Sequence, residues 1–199
     1  FTETEDMAKN KALVRHYWKL KMEASKLLRH ETYLSSYRNL RPTSMSKAIL
    51  KQCKTLETKI ITNFSKGNNL KYLDSIPGVS PLLAATILAE LGDLKRFNST
   101  KQLVAYAGLD PGVKQTGNRG NSYSKLSKRG SPTLRMVLFF AAFGSFSRQP
   151  FKTLYDQQKE KGLHHNAVLC ILARKILRIA VTLLRKREVF NEQYLTGHN

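Results

Sequence analysis

Apolar residues recur at spacings of three and four along nearly the whole of this chain, a period that only helices can place on one face. Between residues 3 and about 40, Leu13, Tyr17, Leu20, Ala24 and Leu27 share such a face. Thr2, with Glu5 three residues on, forms a capping box at its start. Pro42 disfavours the α conformation at Arg41 and ends the helix there. A second helix is expected from about residue 45 to 64, with Met45, Ile49, Cys53, Leu56, Ile60 and Phe64 along its inner stripe. Two amphipathic helices joined by a short turn predict an antiparallel arm or coiled-coil dimerisation element. Tyr17, Trp18 and Tyr37 read as packing residues of that arm. No stretch alternates with the period of a strand, so the expected fold is all-α: a helical arm over residues 1–66, then a helical domain over 67–199.

The grammar changes after the linker at residues 65–69. Leu70, Leu73 and Ile76 precede Pro77-Gly78-Val79-Ser80-Pro81, and Ala84, Ala85, Ile87 and Leu88 follow. This is helix, tight hairpin, helix: Gly78 suits a left-handed turn, Ser80 an N-cap and Pro81 the first helical position. It resembles the helix-hairpin-helix elements of DNA-binding proteins, in which backbone N–H groups of the hairpin hold a phosphate. Here Ser80 stands where those hairpins carry their second glycine. Gly92 ends the second helix, and a short helix over residues 100–107 stops at Gly108. Ser131-Pro132 opens another over about 133–147, apolar almost all round and so expected to be a buried central helix. A short helix over 151–161 closes at Gly162. The last, over about 165–187, carries Val168, Leu169, Leu172, Ile176, Ile179 and Leu183 on one face. Its other face carries Arg174, Lys175, Arg178, Arg185, Lys186 and Arg187.

Residues 109–135, LDPGVKQTGNRGNSYSKLSKRGSPTLR, break the helical pattern. They hold four glycines, six basic residues and one acid, Asp110. Glycines let backbone N–H groups approach a ligand closely, and Lys and Arg supply charge, so phosphate is the natural ligand. The whole chain points the same way: 34 Lys and Arg against 14 Asp and Glu give a formal charge of +20. That excess repels itself unless a polyanion such as DNA offsets it. An anionic membrane is the rival, but there is no lipidation motif or basic-then-apolar signal peptide, and the longest apolar run, residues 136–143, is too short to span a bilayer. Cys53 and Cys170 lack metal-ligand spacing, and a reducing cytoplasm is the expected compartment.

Several chemistries fail on the residues. No nucleotide-binding P-loop is present. Zinc would need paired Cys and His ligands, and the adjacent His164 and His165 diverge on a helix. Glu90 and Asp93 lie three apart, but a solvated helix face and a cap explain them better than a metal site, so no metal ligands are assigned. The template left is covalent attack by a hydroxyl in a cationic loop, with Ser122, Ser124 and Ser127 among the hydroxyls available.

Three runs in order, IPGVSPLLAATILAELGDLKRF, QLVAYAGLDPGVKQTGNRG and LSKRGSPTLR, resemble the bacterial insertion-sequence transposases that act as bridge-RNA-guided recombinases. The resemblance covers roughly residues 70–181. Those enzymes join an N-terminal RuvC-like domain of DEDD type to a C-terminal serine-bearing domain, and the arm before Leu70 would correspond to their coiled-coil linker. The resemblance implies a nucleophile in the Gln115-Thr116-Gly117 step. Thr116 stands where the family has serine, and its β-methyl restricts the hydroxyl. From their clustering, Arg119, Lys125, Lys128, Arg129 and Arg135 are expected as phosphate and transition-state contacts. Gly78 and Ser80 at the hairpin, Lys114 and Ser127 are expected as further nucleic-acid contacts, with Ser127 readable also as a structural cap. The implied cofactor is Mg²⁺, held by the RuvC-like domain, which residues 1–69 do not replace; none is expected in this chain. The implied partners are DNA, guide RNA and further copies of the chain, as a dimer or tetramer through the arm. The setting would be a bacterial cytoplasm, at the nucleoid when DNA is bound. Three readings stay open, the first two being a piece of a longer strand-exchange enzyme and a reduced relative that binds DNA or RNA without cutting it. A helical oligomerisation protein with incidental charge is the third.

Overall fold

The computed structural model describes residues 5–38, 44–110 and 126–196. Among these, every regular element is a helix, apart from a single bridge position at Leu126. The expected all-α fold is the observed one. The chain divides into two compact units, Thr2–Lys66 and Gly67–Asn199.

The first unit is a helix pair, α1 (Glu5–Arg38) and α2 (Ser44–Ser65). Asn63 Nδ2 donates to Asn10 Oδ1 at 3.2 Å, and the Tyr17 hydroxyl to Glu57 Oε2 at 3.3 Å. As one helix advances the other retreats, so the pair is antiparallel. Val14, Tyr17, Ala24, Cys53 and Ile60 are buried in the seam. Tyr17 meets Trp18 edge to face at 5.2 Å. Burial, and then Glu57 beside it, hold the Tyr17 phenol well above its usual pKa. Met45, expected on the inner stripe, is 64 % exposed, while Ser46 is buried in its place. The first turn of α2 is thus rotated by about one residue from the stripe that the later apolar positions mark out. Thr2, Arg41, Pro42 and the Tyr37 side chain lie outside the described residues.

The second unit strings α3 (Asn69–Asp74), α4 (Pro81–Leu91), a 3₁₀ turn (Leu94–Arg96), α5 (Thr100–Ala107), α6 (Pro132–Ser145), α7 (Phe151–Glu160), α8 (His165–Lys186) and α9 (Gln193–Thr196). Local chemistry fixes the boundaries. Ser80, Ser99 and Ser131 each accept a backbone N–H three residues on, and Pro81 and Pro132 occupy the first helical position. Gly92, Gly108 and Gly162 carry positive φ at the stops. Helix α6 packs against both α4 and α8, burying Leu134, Val137, Leu138, Ala141 and Ala142. Val168, Leu169, Leu172, Ile176, Ile179 and Leu183 on α8 are buried too. The expectation of an α6 buried all round fails, since Phe140 and Phe143 are 40 % and 56 % exposed. A helix between two neighbours buries the stripes facing them, and residues 140 and 143 share the remaining face. Cys53 and Cys170 are both free. No helix among the described residues is long and apolar enough to cross a membrane.

Candidate nucleic-acid interface

The residues that flank the polar segment on either side form a closed stem. On the outgoing side, Leu109 N–H donates to Val104 O, and Gly108 turns left-handed with φ 65°. On the returning side, Ser127 N–H donates to Asp110 O at 3.0 Å and its hydroxyl to the Asp110 carboxylate. Ser131 N–H then donates to Tyr106 O at 2.7 Å. Gly130 lies so close to the end of α5 that a Cβ there would sit 2.1 Å from Tyr106 O and 2.5 Å from Gly108 N. The two ends of the segment are therefore tied together by backbone contacts.

Beneath the stem lies Glu90, with no exposed surface. This corrects the expectation of a solvated helix face. The Ser131 hydroxyl donates to Glu90 Oε2 at 2.9 Å while accepting Leu134 N–H at 3.1 Å, so one serine caps α6 and joins it to α4. The Glu90 carbonyl receives both the Tyr106 hydroxyl, at 3.0 Å, and Arg96 Nη2, at 3.1 Å. The Arg96 guanidinium lies 4.6 Å from the Phe97 ring centroid and 4.4 Å from that of Tyr106. Asp93, by contrast, caps as expected, accepting Lys95 N–H at 2.8 Å. A carboxylate at a core position amid apolar neighbours on α4 was the one sequence sign of this hub. Neither Arg96 nor Tyr106 was marked by any sequence pattern.

Arg135 reaches back to the stem: Nη1 would lie 2.3 Å from a Cβ placed on Gly108. That nitrogen is buried and has no hydrogen-bond acceptor among the described residues. Lys128, at φ 55°, and Arg129 are exposed at the mouth of the stem. Ser127 is spent on Asp110, so its structural role is the one the geometry displays. Lys114, Thr116, Arg119, Ser122, Ser124 and Lys125 lie outside the described residues.

The hairpin sits elsewhere on the unit, locked to the far end of α6. Gly78, at φ 89°, touches Gly144, and the Ser145 hydroxyl lies 2.6 Å from Pro77 O. The missing side chain at Gly78 serves this close approach. Ser80 remains exposed beside it, at the N-terminus of α4. Among the described residues no three His, Cys, Asp or Glu side chains are grouped to hold a metal ion. His165 Nδ1 pairs instead with the Tyr155 hydroxyl at 2.7 Å, and His164 caps α8.

Residues 70–156, which contain hairpin, hub and stem, match the transposase IS116/IS110/IS902 family. Over those residues the chain is similar to the transposases of that family. It is 28 % identical to an insertion element IS110 protein of Streptomyces coelicolor over 75 % of this chain and 37 % of the relative. It is 31 % identical to the pilin gene-inverting protein of Moraxella bovis, over 61 % and 38 %. The transposase for insertion sequence element IS1328 of Yersinia enterocolitica is 27 % identical, over 72 % and 44 %. The chain thus spans less than half the length of these curated relatives.

The stem gives the Gly67–Asn199 unit a testable weak point. Glu90→Ala should cost about 3 kcal/mol, because it leaves the buried Ser131 hydroxyl without its acceptor and opens a cavity. Glu90→Gln keeps an acceptor oxygen and should cost less than half as much. Urea denaturation followed by circular dichroism checks both; equal losses would show that the serine contact is immaterial.

Proposed function

We propose that this chain is the DNA-binding and strand-exchange part of a transposase. The basic segment between α5 and α6 would grip the DNA backbone, and a hydroxyl within it would attack a phosphate. A protein–phosphate ester would form as one P–O bond to deoxyribose breaks, and the released sugar oxygen would leave as a hydroxyl, taking up a proton in place of the one the attacking hydroxyl loses. The observation that carries this reading is the closed stem, which holds a cationic, glycine-rich segment at fixed ends within a domain of a transposase family. Thr116 is the proposed nucleophile. Lys114, Arg119, Lys125, Lys128, Arg129 and Arg135 would offset the charge of the phosphate under attack. Gly78 and Ser80 would supply a second backbone contact at the hairpin.

Mg²⁺ would be held by a RuvC-like domain acting with this chain. Guide RNA would select the target, and the helix pair would join copies of the protein, a role suited to its exposed Met22 and Met45. The proposed setting is the bacterial nucleoid.

The test is covalent capture. With the RuvC-like domain, guide RNA and Mg²⁺ supplied, a labelled DNA strand should stay attached to the protein through denaturation. Binding that falls steeply with salt but leaves no adduct would favour the alternative, a module that holds DNA or RNA without cutting it. A salt-insensitive affinity would defeat both.

A further inference from the structure

We infer that α8 presents a second track for the sugar–phosphate backbone of duplex DNA, centred on Arg174, Lys175 and Arg178 and separate from the stem. The inference extends the DNA-binding reading above to a helix beyond residues 70–156. Between His165 and Lys186 this helix carries five Lys and Arg and no acid. Its apolar face lies in the core, so the cations fall on what remains. Arg174, Arg178, Thr182 and Arg185 follow at spacings of four, four and three, one stripe along the helix.

Two recesses flank that stripe. Arg174, Lys175 and Arg178 line a concavity of about 320 Å³ with Leu154, Ile171 and Leu195. On the other side, Arg178, Thr182 and Arg185 line a smaller recess with Ser99 and Thr100, at the N-terminus of α5. No acid lines either one. The α5 terminus adds partial positive charge to the second recess. Burial, and then the neighbouring Arg178, lower the pKa of Lys175. Crowding of like charge of this kind is relieved when an anion arrives.

The spacing suits a polymer better than a single ion. Arg174 and Arg185 are separated by about 16 Å along the helix at 1.5 Å per residue. One strand of a duplex advances about 3.4 Å per phosphate, so the stripe spans several phosphates. The single aromatic in the two recesses, Phe97, is buried and offers no face for stacking an unpaired base. Apolar Leu154, Ile171 and Leu195 between the cations fit sugar faces.

The test titrates duplex DNA with the full chain over a range of salt. Lys175→Gln/Arg178→Gln and Arg174→Gln/Lys175→Gln/Arg178→Gln should reduce the slope of log affinity against log salt by about 0.9 for each phosphate that is no longer neutralised. The double variant retains Arg174, whose Nε bonds Cys170 O, and guards against a folding artefact. Lys128→Gln/Arg129→Gln should lower the slope independently, and the two sets should add. Duplex DNA should also protect Lys175 from acetylation in the unaltered chain. An unchanged slope in both α8 variants, with Lys175 acetylated equally with and without DNA, overturns the inference while the Lys128/Arg129 effect preserves the DNA reading. A loss confined to structured RNA or single strands overturns it too. Failure of every form to bind duplex DNA defeats the DNA reading and this inference together.

Discussion

Thr116→Ala should abolish covalent capture of DNA, slowing strand exchange by about 10⁴-fold or more, the order seen when a hydroxyl nucleophile is deleted elsewhere. Alanine removes the proposed attacking oxygen and leaves every Lys and Arg of the segment unchanged, so duplex affinity and its salt dependence should change little. Thr116→Ser is the informative partner. Serine retains the hydroxyl and loses the β-methyl that restricts χ1, so it should match or exceed the unaltered chain. Electrophoresis of labelled DNA under denaturing conditions reads both variants. Full-rate exchange by Thr116→Ala would remove Thr116 from the chemistry and pass the role to another hydroxyl of the segment.

The second large effect belongs to Gly130. Alanine there should destabilise the Gly67–Asn199 unit by more than about 4 kcal/mol, beyond the range of ordinary single replacements. The added Cβ would meet Tyr106 O at 2.1 Å, Ala105 O at 2.5 Å and Gly108 N at 2.5 Å, all of them backbone atoms. No rotamer change relieves such contacts; the stem must open, giving up the Ser131 N–H to Tyr106 O bond and displacing the Ser131 cap. Gly162→Ala is the control: nothing lies within 4 Å of a Cβ there, and only its φ of 80° is strained. Chemical denaturation should separate the two clearly, and equal losses would show that the stem contact carries no special weight. Salt-dependent DNA binding by any folded fraction of the Gly130 variant should also weaken, because the ends of the basic segment would no longer be tied.

Much of this architecture was legible residue by residue. Ser80, Ser99 and Ser131 act on N–H groups three positions away, and Gly92, Gly108 and Gly162 on their own φ, so each boundary is decided within one turn of chain. The apolar face of α8 was equally plain, since period alone assigns it. The stem hub was not. Glu90 reads as a solvated acid until Ser131, 41 positions later, is seen to donate to it, and Arg96 has no evident role until Tyr106 closes over it. Gly130 looks like one more flexible glycine until the end of α5 arrives against it.

The sequence by itself determined the helices, their caps and the cationic, glycine-rich character of the segment between α5 and α6, because those depend on neighbours in the chain and on summed charge. Tertiary structure alone decided that Glu90 is buried, that Phe140 and Phe143 are not, and that the two ends of the segment meet. These are properties of packing: a side chain's surroundings are set by which distant elements pack against it, and periodicity along one helix carries no information about that choice.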